Sequence, residues 1–265
     1  QWIARAYDRV DSTLSLSLYL FDSTNGVFTN GRIAISNAII IIIFIFIFFL
    51  LLKITAPYGR HTSTRWGPQV DNHYGWLLME LPALTVMVVF FIMNFNKQFL
   101  VVEIIIGLFC LHYFNRTFIF PFRLHTLGKK MPLLILASGI FFNLCNTFLL
   151  GYYLTHFANY HLNWLISFKF LAGSSVFFFF FWINWKSDNI LIHLRKPNEI
   201  GYKIPEGWLF NQVSCPNMLG ELIEWTGFAI LCWNMPALAF LIWTAANLVP
   251  RAMAHHKWYK SKFKN

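Results

Sequence analysis

Long apolar stretches separated by short polar segments dominate the chain. Residues 33–52 are twenty uncharged and mostly apolar residues, about the length that an α-helix needs to cross the hydrocarbon core of a bilayer. The remaining apolar stretches predict further crossings of similar kind. They lie at residues 76–95, 99–116, 131–156, 164–185 and 218–249.

The last of these stretches is too long for one untilted crossing. Asn234, Met235 and Pro236 interrupt it, and proline ends a helix because it lacks the backbone donor and clashes with the preceding turn. We therefore predict two short crossings here and seven in total. The predicted fold is an all-α, polytopic bundle of seven transmembrane helices, formed by one domain over residues 1–265 with a non-spanning segment at 1–32.

Composition supports a membrane protein and excludes several other classes. Of the 265 residues, 57% are hydrophobic and 12% are charged, whereas globular domains carry about 25% charged residues. Disordered chains, coiled coils and disulfide-rich secreted scaffolds do not have this composition. The four cysteines have no metal-binding spacing, so we predict neither a disulfide nor a metal site.

The positive charges are distributed unevenly between the two ends of the predicted helices. If seven helices alternate, fifteen Lys and Arg residues fall on the side of the C-terminus and four on the other side. The positive-inside rule then places the C-terminus in the cytoplasm. The net charge of +10 is consequently attributed to a membrane surface and not to nucleic acid. A bacterial plasma membrane and the endoplasmic reticulum both fit.

Three polar stripes occur near the cytoplasmic ends of the last predicted crossings. Their members are three, four or seven residues apart, so each stripe lies on one helix face, within about 40° for the first. The stripes are Asn184, Asp188 and Arg195; Asn217, Glu221 and Glu224; and Arg251, His255 and Tyr259.

These stripes allow two interpretations. Mutual salt bridges would hold the bundle together, or the stripes together would bind a large polar ligand. Arg195, Lys196 and Arg251 suit phosphate groups, whereas the acidic and amide side chains suit ribose hydroxyls and a carboxamide. This inventory favours a phosphorylated dinucleotide bound by about residues 184–265, although the chain has no GxGxxG motif after a strand.

A second polar group lies in the second and third predicted crossings. Glu80 precedes Pro82, and Tyr113 lies close to Arg116; Glu103 is an alternative intramembrane acid. Glu80 could pair with Arg116. Alternatively, burial could keep Glu80 protonated, and a protonated acid beside a phenol can polarise a carbonyl group.

Several motifs together resemble the steroid 5α-reductase family, in its order and roughly its spacing, from about residue 76 to the C-terminus. They are LHYFNRT at 111–117, NWKSD at 184–188, LRKP at 194–197, YKIP at 202–205, NMLGELIEW at 217–225, PALAF at 236–240 and RAMAHHKWY at 251–259.

The resemblance implies an NADPH-dependent reductase of the Δ4 double bond in 3-oxo-steroids, with seven helices closing over the cofactor. The catalytic positions of the family match Glu80 and Tyr113. Met79 departs from the Gln that usually precedes the catalytic Glu. The cofactor positions match Arg116, Asn184, Asp188, Arg195, Tyr202, Asn217, Glu221, Glu224, Arg251, His255 and Tyr259.

Together with this chemistry, the resemblance implies a mechanism in which Glu80 and Tyr113 bind the 3-keto oxygen and NADPH supplies a hydride to C5. We expect a monomer whose steroid or steroid-like substrate enters from the bilayer lipids. Three alternatives stay open from the residues alone. They are a reductase of a polyprenol or enoyl thioester, an isoprenylcysteine-type methyltransferase that uses S-adenosylmethionine, and an ion-coupled transporter using Glu80, Glu103 and Lys169.

Overall fold

The computed structural model describes most of the chain from the second predicted crossing onward. The described residues are 49, 52–53, 57, 59–94, 100–124, 128–194 and 201–263. The predicted crossing at 33–52 therefore lies almost entirely outside them, as do Arg195 and Lys196.

Six helices make up most of the described part. They are α1 (Asn72–Asn94), α2 (Leu100–Arg123), α3 (Leu133–His156), α4 (Phe168–His193), α5 (Pro216–Cys232) and α6 (Met235–Lys262). All except α5 are long and apolar enough to cross a membrane, and the chain is an integral membrane protein. These six correspond to the last six predicted crossings, and the count of seven is not confirmed because the first crossing is not described.

A short antiparallel ribbon joins the starts of α1 and α3. Strand β1 (Gln69–Asp71) pairs with β2 (Lys130–Pro132), with Val70 opposite Met131. At the first turn of α1, the His73 backbone N–H donates to Asp71 Oδ1 at 2.9 Å. This hydrogen bond holds the pKa of the Asp71 carboxyl below its usual value. The two helices thus begin at the same end of the bundle.

Helix α2 continues past the predicted end at Arg116. Residues Asn115–Ile119 form a π-helical segment, and Phe120–Arg123 add a last α-helical turn that begins with Pro121 near its first position. Pro121 has no backbone N–H to donate to the preceding turn. The wider π-helical turn just before it lets the helix continue through this position. Because of this extension, Arg116 lies within the helix and not at its end.

The junction of α5 and α6 confirms the predicted break at Asn234–Pro236. Trp233 adopts the left-handed conformation (φ 48°), and the Asn234 side chain accepts a hydrogen bond from the Ala237 N–H at 2.9 Å. Pro236 lies in the first turn of α6, where a missing N–H costs nothing.

Glycines let α4 and α5 approach at backbone distance. A Cβ atom built at Gly227 would lie 2.6 Å from the Phe177 nitrogen, and one at Gly173 would lie 2.5 Å from the Leu231 nitrogen. At Gly220 it would lie 2.8 Å from the Asn184 nitrogen. Small residues at such positions are how helices associate within a membrane, and here they bring Asn184 against α5.

An aromatic core lies between α2, α4, α5 and α6. Phe109, Phe177, Trp225 and Phe228 are each 1% exposed or less. The Tyr113 ring packs against this core, with its centroid 4.6 Å from that of Phe109. The Tyr113 side chain is therefore held against a buried aromatic core.

Candidate active site

One cavity of about 410 Å³ collects polar side chains from all six helices. Its volume is within the range of small-molecule sites, about 300–1,000 Å³. One part of the wall is apolar and includes Trp76, Ile135, Phe142 and Phe240. The predicted site residues in its lining are Glu80, Tyr113, Arg116, Asp188, Asn217, Glu221 and Arg251.

Glu80 of α1 and Tyr113 of α2 meet a third residue, Asn143 of α3. The Asn143 Nδ2 donates to the Met79 carbonyl oxygen at 2.7 Å and lies 3.4 Å from Glu80 Oε2. The Tyr113 hydroxyl donates to Asn143 Oδ1 at 3.4 Å. Both proposed catalytic side chains thus line the same cavity and contact the same amide.

Arg116 forms the centre of an ionic cluster. Its Nη1 atom lies 3.1 Å from Asp188 Oδ2, and its Nη2 atom lies 3.8 Å from Glu221 Oε2. The guanidinium carbon also lies 4.4 Å from the centroid of the Phe120 ring, at cation–π distance. Within the described residues, Arg116 pairs with these two carboxylates, and no ion pair joins it to Glu80.

Asn184 and Asn217 connect α4 to the start of α5. The Asn184 Nδ2 donates to the Asn217 carbonyl oxygen at 2.9 Å, and the Asn217 Nδ2 donates to Asp188 Oδ1 at 3.0 Å. Asn184 is 2% exposed. Two of the predicted stripes therefore converge, and their amides orient the acidic groups toward the cavity.

The third stripe follows the last turns of α6. Arg251 lines the cavity, while the buried His255 ring lies 5.2 Å from that of His61. Tyr259 continues the stripe outward, with its ring 5.5 Å from that of Trp258. The stripe thus leads from the cavity to the end of the bundle.

Five of the predicted cofactor residues that the structure describes lie outside the cavity lining: Asn184, His255 and Tyr259, described above, and Glu224 and Tyr202. Glu224 is fully buried and its Oε1 lies 2.7 Å from His112 Nδ1. Tyr202 is 38% exposed, with its ring 5.0 Å from that of Trp258 and 4.9 Å from Lys129 Nζ. Glu103 is likewise not part of the lining.

Sequence reasoning missed the roles of His112 and Asn143. Both line the cavity, and both are buried polar side chains, with 3% and 5% of their surface exposed. The available signal was a polar residue within an apolar stretch, which is expensive in a membrane. Their partners are at least 30 residues away in the sequence, so only the fold pairs them.

The donor set fits a phosphorylated dinucleotide. Arg251 offers a cationic fork for a phosphate, and the carboxylates of Asp188 and Glu221 can accept hydrogen bonds from ribose hydroxyls. The Asn217 amide supplies both a donor and an acceptor. These groups line the same cavity as the apolar side chains named above.

Comparison with known proteins identifies the family. Residues 129–265 match the family model described as 3-oxo-5-alpha-steroid 4-dehydrogenase. The chain is 39% identical over 220 residues to steroid 5-alpha-reductase DET2 of Gossypium hirsutum, covering 80% of this chain and 84% of the relative. The chain belongs to the steroid 5α-reductase family.

Animal members of the steroid 5α-reductase family are equally similar. The Sus scrofa protein named 3-oxo-5-alpha-steroid 4-dehydrogenase 2 is 39% identical over 211 residues, covering 78% of this chain and 82% of the relative. Its Homo sapiens counterpart is 38% identical over 221 residues, covering 82% and 86%. The resemblance found in the motifs is thereby confirmed, which disfavours the methyltransferase and transporter alternatives.

Proposed function

We propose that this protein is an NADPH-dependent oxidoreductase that reduces the Δ4 double bond of 3-oxo-Δ4-steroids to 5α-reduced 3-oxo-steroids. The observation that carries the proposal is one cavity in which Glu80 and Tyr113 lie together with Arg116, Asp188 and Glu221. The relatives named steroid 5-alpha-reductase and 3-oxo-5-alpha-steroid 4-dehydrogenase support this activity.

Glu80 and Tyr113 bind and polarise the substrate ketone. A protonated Glu80 carboxyl and the Tyr113 hydroxyl each donate a hydrogen bond to the 3-keto oxygen, which draws electrons from the conjugated alkene and makes C5 electrophilic. The same donors stabilise the steroid enolate as negative charge develops on its oxygen. A proton from solvent or from a site acid then reaches C4.

The cofactor end is formed by α4, α5 and α6. NADPH, when bound, supplies the hydride for C5. Arg251 binds phosphate, and the amides and carboxylates of Asn217, Asp188 and Glu221 bind ribose and carboxamide groups. Asn184 holds Asn217 in place, and Arg116 keeps the two carboxylates oriented by ion pairing.

Further residues extend this site beyond the cavity. Arg195 with Lys196 supplies the positive charge for the 2′-phosphate of NADPH. Three further residues bind the cofactor at the end of the bundle where α6 ends: His255, Tyr259 and Tyr202.

The membrane determines how the substrate arrives. The apolar wall suits a steroid that enters sideways from the bilayer. The uneven distribution of Lys and Arg along the sequence favours a cytoplasmic C-terminus. The membrane is that of the endoplasmic reticulum, or the plasma membrane if the source is bacterial. We expect the protein to work as a monomer.

The test is NADPH oxidation by the purified protein in detergent with a 3-oxo-Δ4-steroid. We expect stoichiometric consumption of NADPH and a product with a 5α hydrogen. A 3-hydroxy steroid that lacks the ketone is the matched control and should not be reduced. Absence of turnover with the 3-oxo steroid, or turnover that requires S-adenosylmethionine, contradicts the proposal.

A further inference from the structure

Asn143 is an amide in an unusual place. It lies in the middle of α3 among apolar residues and is 5% exposed. A polar side chain within a membrane-spanning helix is costly unless it is hydrogen-bonded. Its partners are the Met79 carbonyl, the Glu80 carboxyl and the Tyr113 hydroxyl, two of which belong to the proposed catalytic pair.

The Met79 contact decides which way the amide faces. A backbone carbonyl can only accept hydrogen bonds, so the amide nitrogen must face α1, at 2.7 Å from the Met79 oxygen. The amide oxygen then faces Tyr113 of α2. The second N–H of the same nitrogen points to Glu80 Oε2 at 3.4 Å.

The Met79 side chain of α1 packs against a glycine of α3, one turn before Asn143. A Cβ atom at Gly139 would lie 2.5 Å from both Cγ and Sδ of Met79. Positions 139 and 143 share a helix face because they are four residues apart. Gly139 therefore lets the Met79 side chain lie against α3 while Asn143 reaches the Met79 backbone.

We propose that Asn143 is a positioning residue that aligns Glu80 and Tyr113 on one substrate oxygen, an inference that rests on the proposed function. Because Asn143 Nδ2 donates to Glu80 Oε2, that oxygen is an acceptor, and the acidic proton of Glu80 is carried by Oε1. Acceptance from Tyr113 fixes the phenol before the substrate arrives. The 3.4 Å contact between the Tyr113 hydroxyl and Asn143 Oδ1 is long for a hydrogen bond. The hydroxyl can therefore donate to the ketone oxygen instead when the substrate binds.

Asn143→Leu is the test variant, because it keeps the size of the side chain and removes all three contacts. Asn146→Leu is the matched control on the same helix. Its Nδ2 atom is buried and has no hydrogen-bond partner among the described residues, and Asn146 is not in the cavity lining. Asn143→Ser, which replaces the amide with a shorter side chain that ends in a hydroxyl, is measured instead if Asn143→Leu does not fold.

The first measurement is single-turnover hydride transfer with NADPH and a 3-oxo-Δ4-steroid. We expect Asn143→Leu to slow it roughly ten- to a hundred-fold, as misplacement of catalytic groups does, with an unchanged Kd for NADPH. Asn146→Leu should transfer hydride at the wild-type rate. In a Tyr113→Phe background the cost of Asn143→Leu should shrink, because one contact has already been removed. Equal hydride-transfer rates in Asn143→Leu and Asn146→Leu overturn the proposal. So does a double variant whose loss of rate equals the product of the losses in Tyr113→Phe and Asn143→Leu.

The second measurement does not require turnover. Infrared carboxyl bands of Glu80 are assigned by their loss in Glu80→Gln, and they should shift in Asn143→Leu but not in Asn146→Leu. Bands that stay in place in Asn143→Leu overturn the positioning role. If the wild-type protein transfers no hydride at all, the proposed function fails, and the infrared bands alone decide whether Asn143 orients Glu80.

Discussion

The Nδ1 atom of His112 lies 2.7 Å from Oε1 of Glu224, in a pair that is 3% and 0% exposed. The pair connects α2 to α5 directly beside Tyr113, since His112 precedes Tyr113 in the chain and its ring centroid lies 5.3 Å from that of Tyr113. Glu224 matches a cofactor position of the family, yet its contact in this protein is to His112. We infer that it supports the catalytic helix from behind the cavity.

Glu224→Leu should destabilise the protein with little effect on the cofactor. Loss of the carboxyl leaves His112 Nδ1 buried without its partner, which costs about 1–3 kcal/mol of unfolding free energy. Thermal unfolding in detergent should show a lower Tm, while Glu224→Gln, which can still hydrogen-bond, should show a smaller loss. If Glu224→Gln instead keeps the wild-type Tm and loses NADPH affinity, the carboxyl contacts the cofactor as the sequence predicted.

Gly227→Ala should loosen the contact between α4 and α5. The new methyl group would lie 2.6 Å from the Phe177 nitrogen and 2.7 Å from the Gly173 oxygen, and neither backbone atom can move without shifting a helix. We expect a lower Tm and partial loss of expression. Gly107→Ala is the matched control in α2, because no described atom lies within 4 Å of its added methyl. It should be neutral or slightly stabilising, and a similar loss in both variants would contradict the packing argument.

Tyr160 should make stability depend on pH in the alkaline range. Its hydroxyl donates to the Cys232 carbonyl at 2.6 Å and accepts from Asn234 Nδ2 at 3.0 Å, and burial raises the pKa of this hydroxyl. The folded protein therefore keeps the proton when the unfolded chain loses it above about pH 10. The stabilising contribution is complete below that pH and declines as the pH rises.

The measurement for Tyr160 is the Tm of wild type and Tyr160→Phe from pH 8 to 11. Tyr160→Phe should be less stable than wild type at pH 8 because it lacks both hydrogen bonds, and the difference should narrow above pH 10. Tyr74→Phe, at a side chain that is 64% exposed, serves as the control. A stability difference that is constant over the whole range would contradict the prediction.

The helical architecture was largely predictable because its cause is local. Twenty apolar residues need a helix in a bilayer, and the capping Asn234 with Pro236 marks the junction of α5 and α6 in the sequence itself. The three-residue strands β1 and β2 could not be predicted, since they are too short to show an alternating pattern. The extension of α2 beyond Arg116 depends on a π turn, which has no sequence signature.

The candidate site was predictable where its residues share one helix. Asn184 with Asp188, and Asn217 with Glu221, repeat at helical spacing, and the fold brings both pairs together. Asn143 contacts residues 30 and 63 positions away, a relationship that no local pattern contains. The suggested Glu80–Arg116 pair failed for the same reason, because Arg116 finds its carboxylates on α4 and α5.

Arg195→Ala should raise the KM for NADPH strongly and leave folding intact. A guanidinium beside a 2′-phosphate distinguishes NADPH from NADH by charge, so the preference for NADPH should fall while turnover with NADH changes little. Lys260→Ala, at an exposed basic residue near the end of α6, is the control and should keep the wild-type preference. Equal use of NADH and NADPH by the parent protein would show that this phosphate site is wrongly assigned.

The most direct test of the account is single-turnover hydride transfer by Glu80→Gln and Tyr113→Phe, measured together with Tm and NADPH affinity. Each variant removes one donor to the developing enolate oxygen, and loss of such a donor costs about 2.7–4 kcal/mol, roughly 10²–10³ in rate. We predict that both variants lose hydride-transfer rate by this factor, while their Tm and NADPH affinity stay close to those of the wild type. Near-normal hydride transfer in both, whatever the change in Tm, would contradict the central claim that Glu80 and Tyr113 activate the ketone.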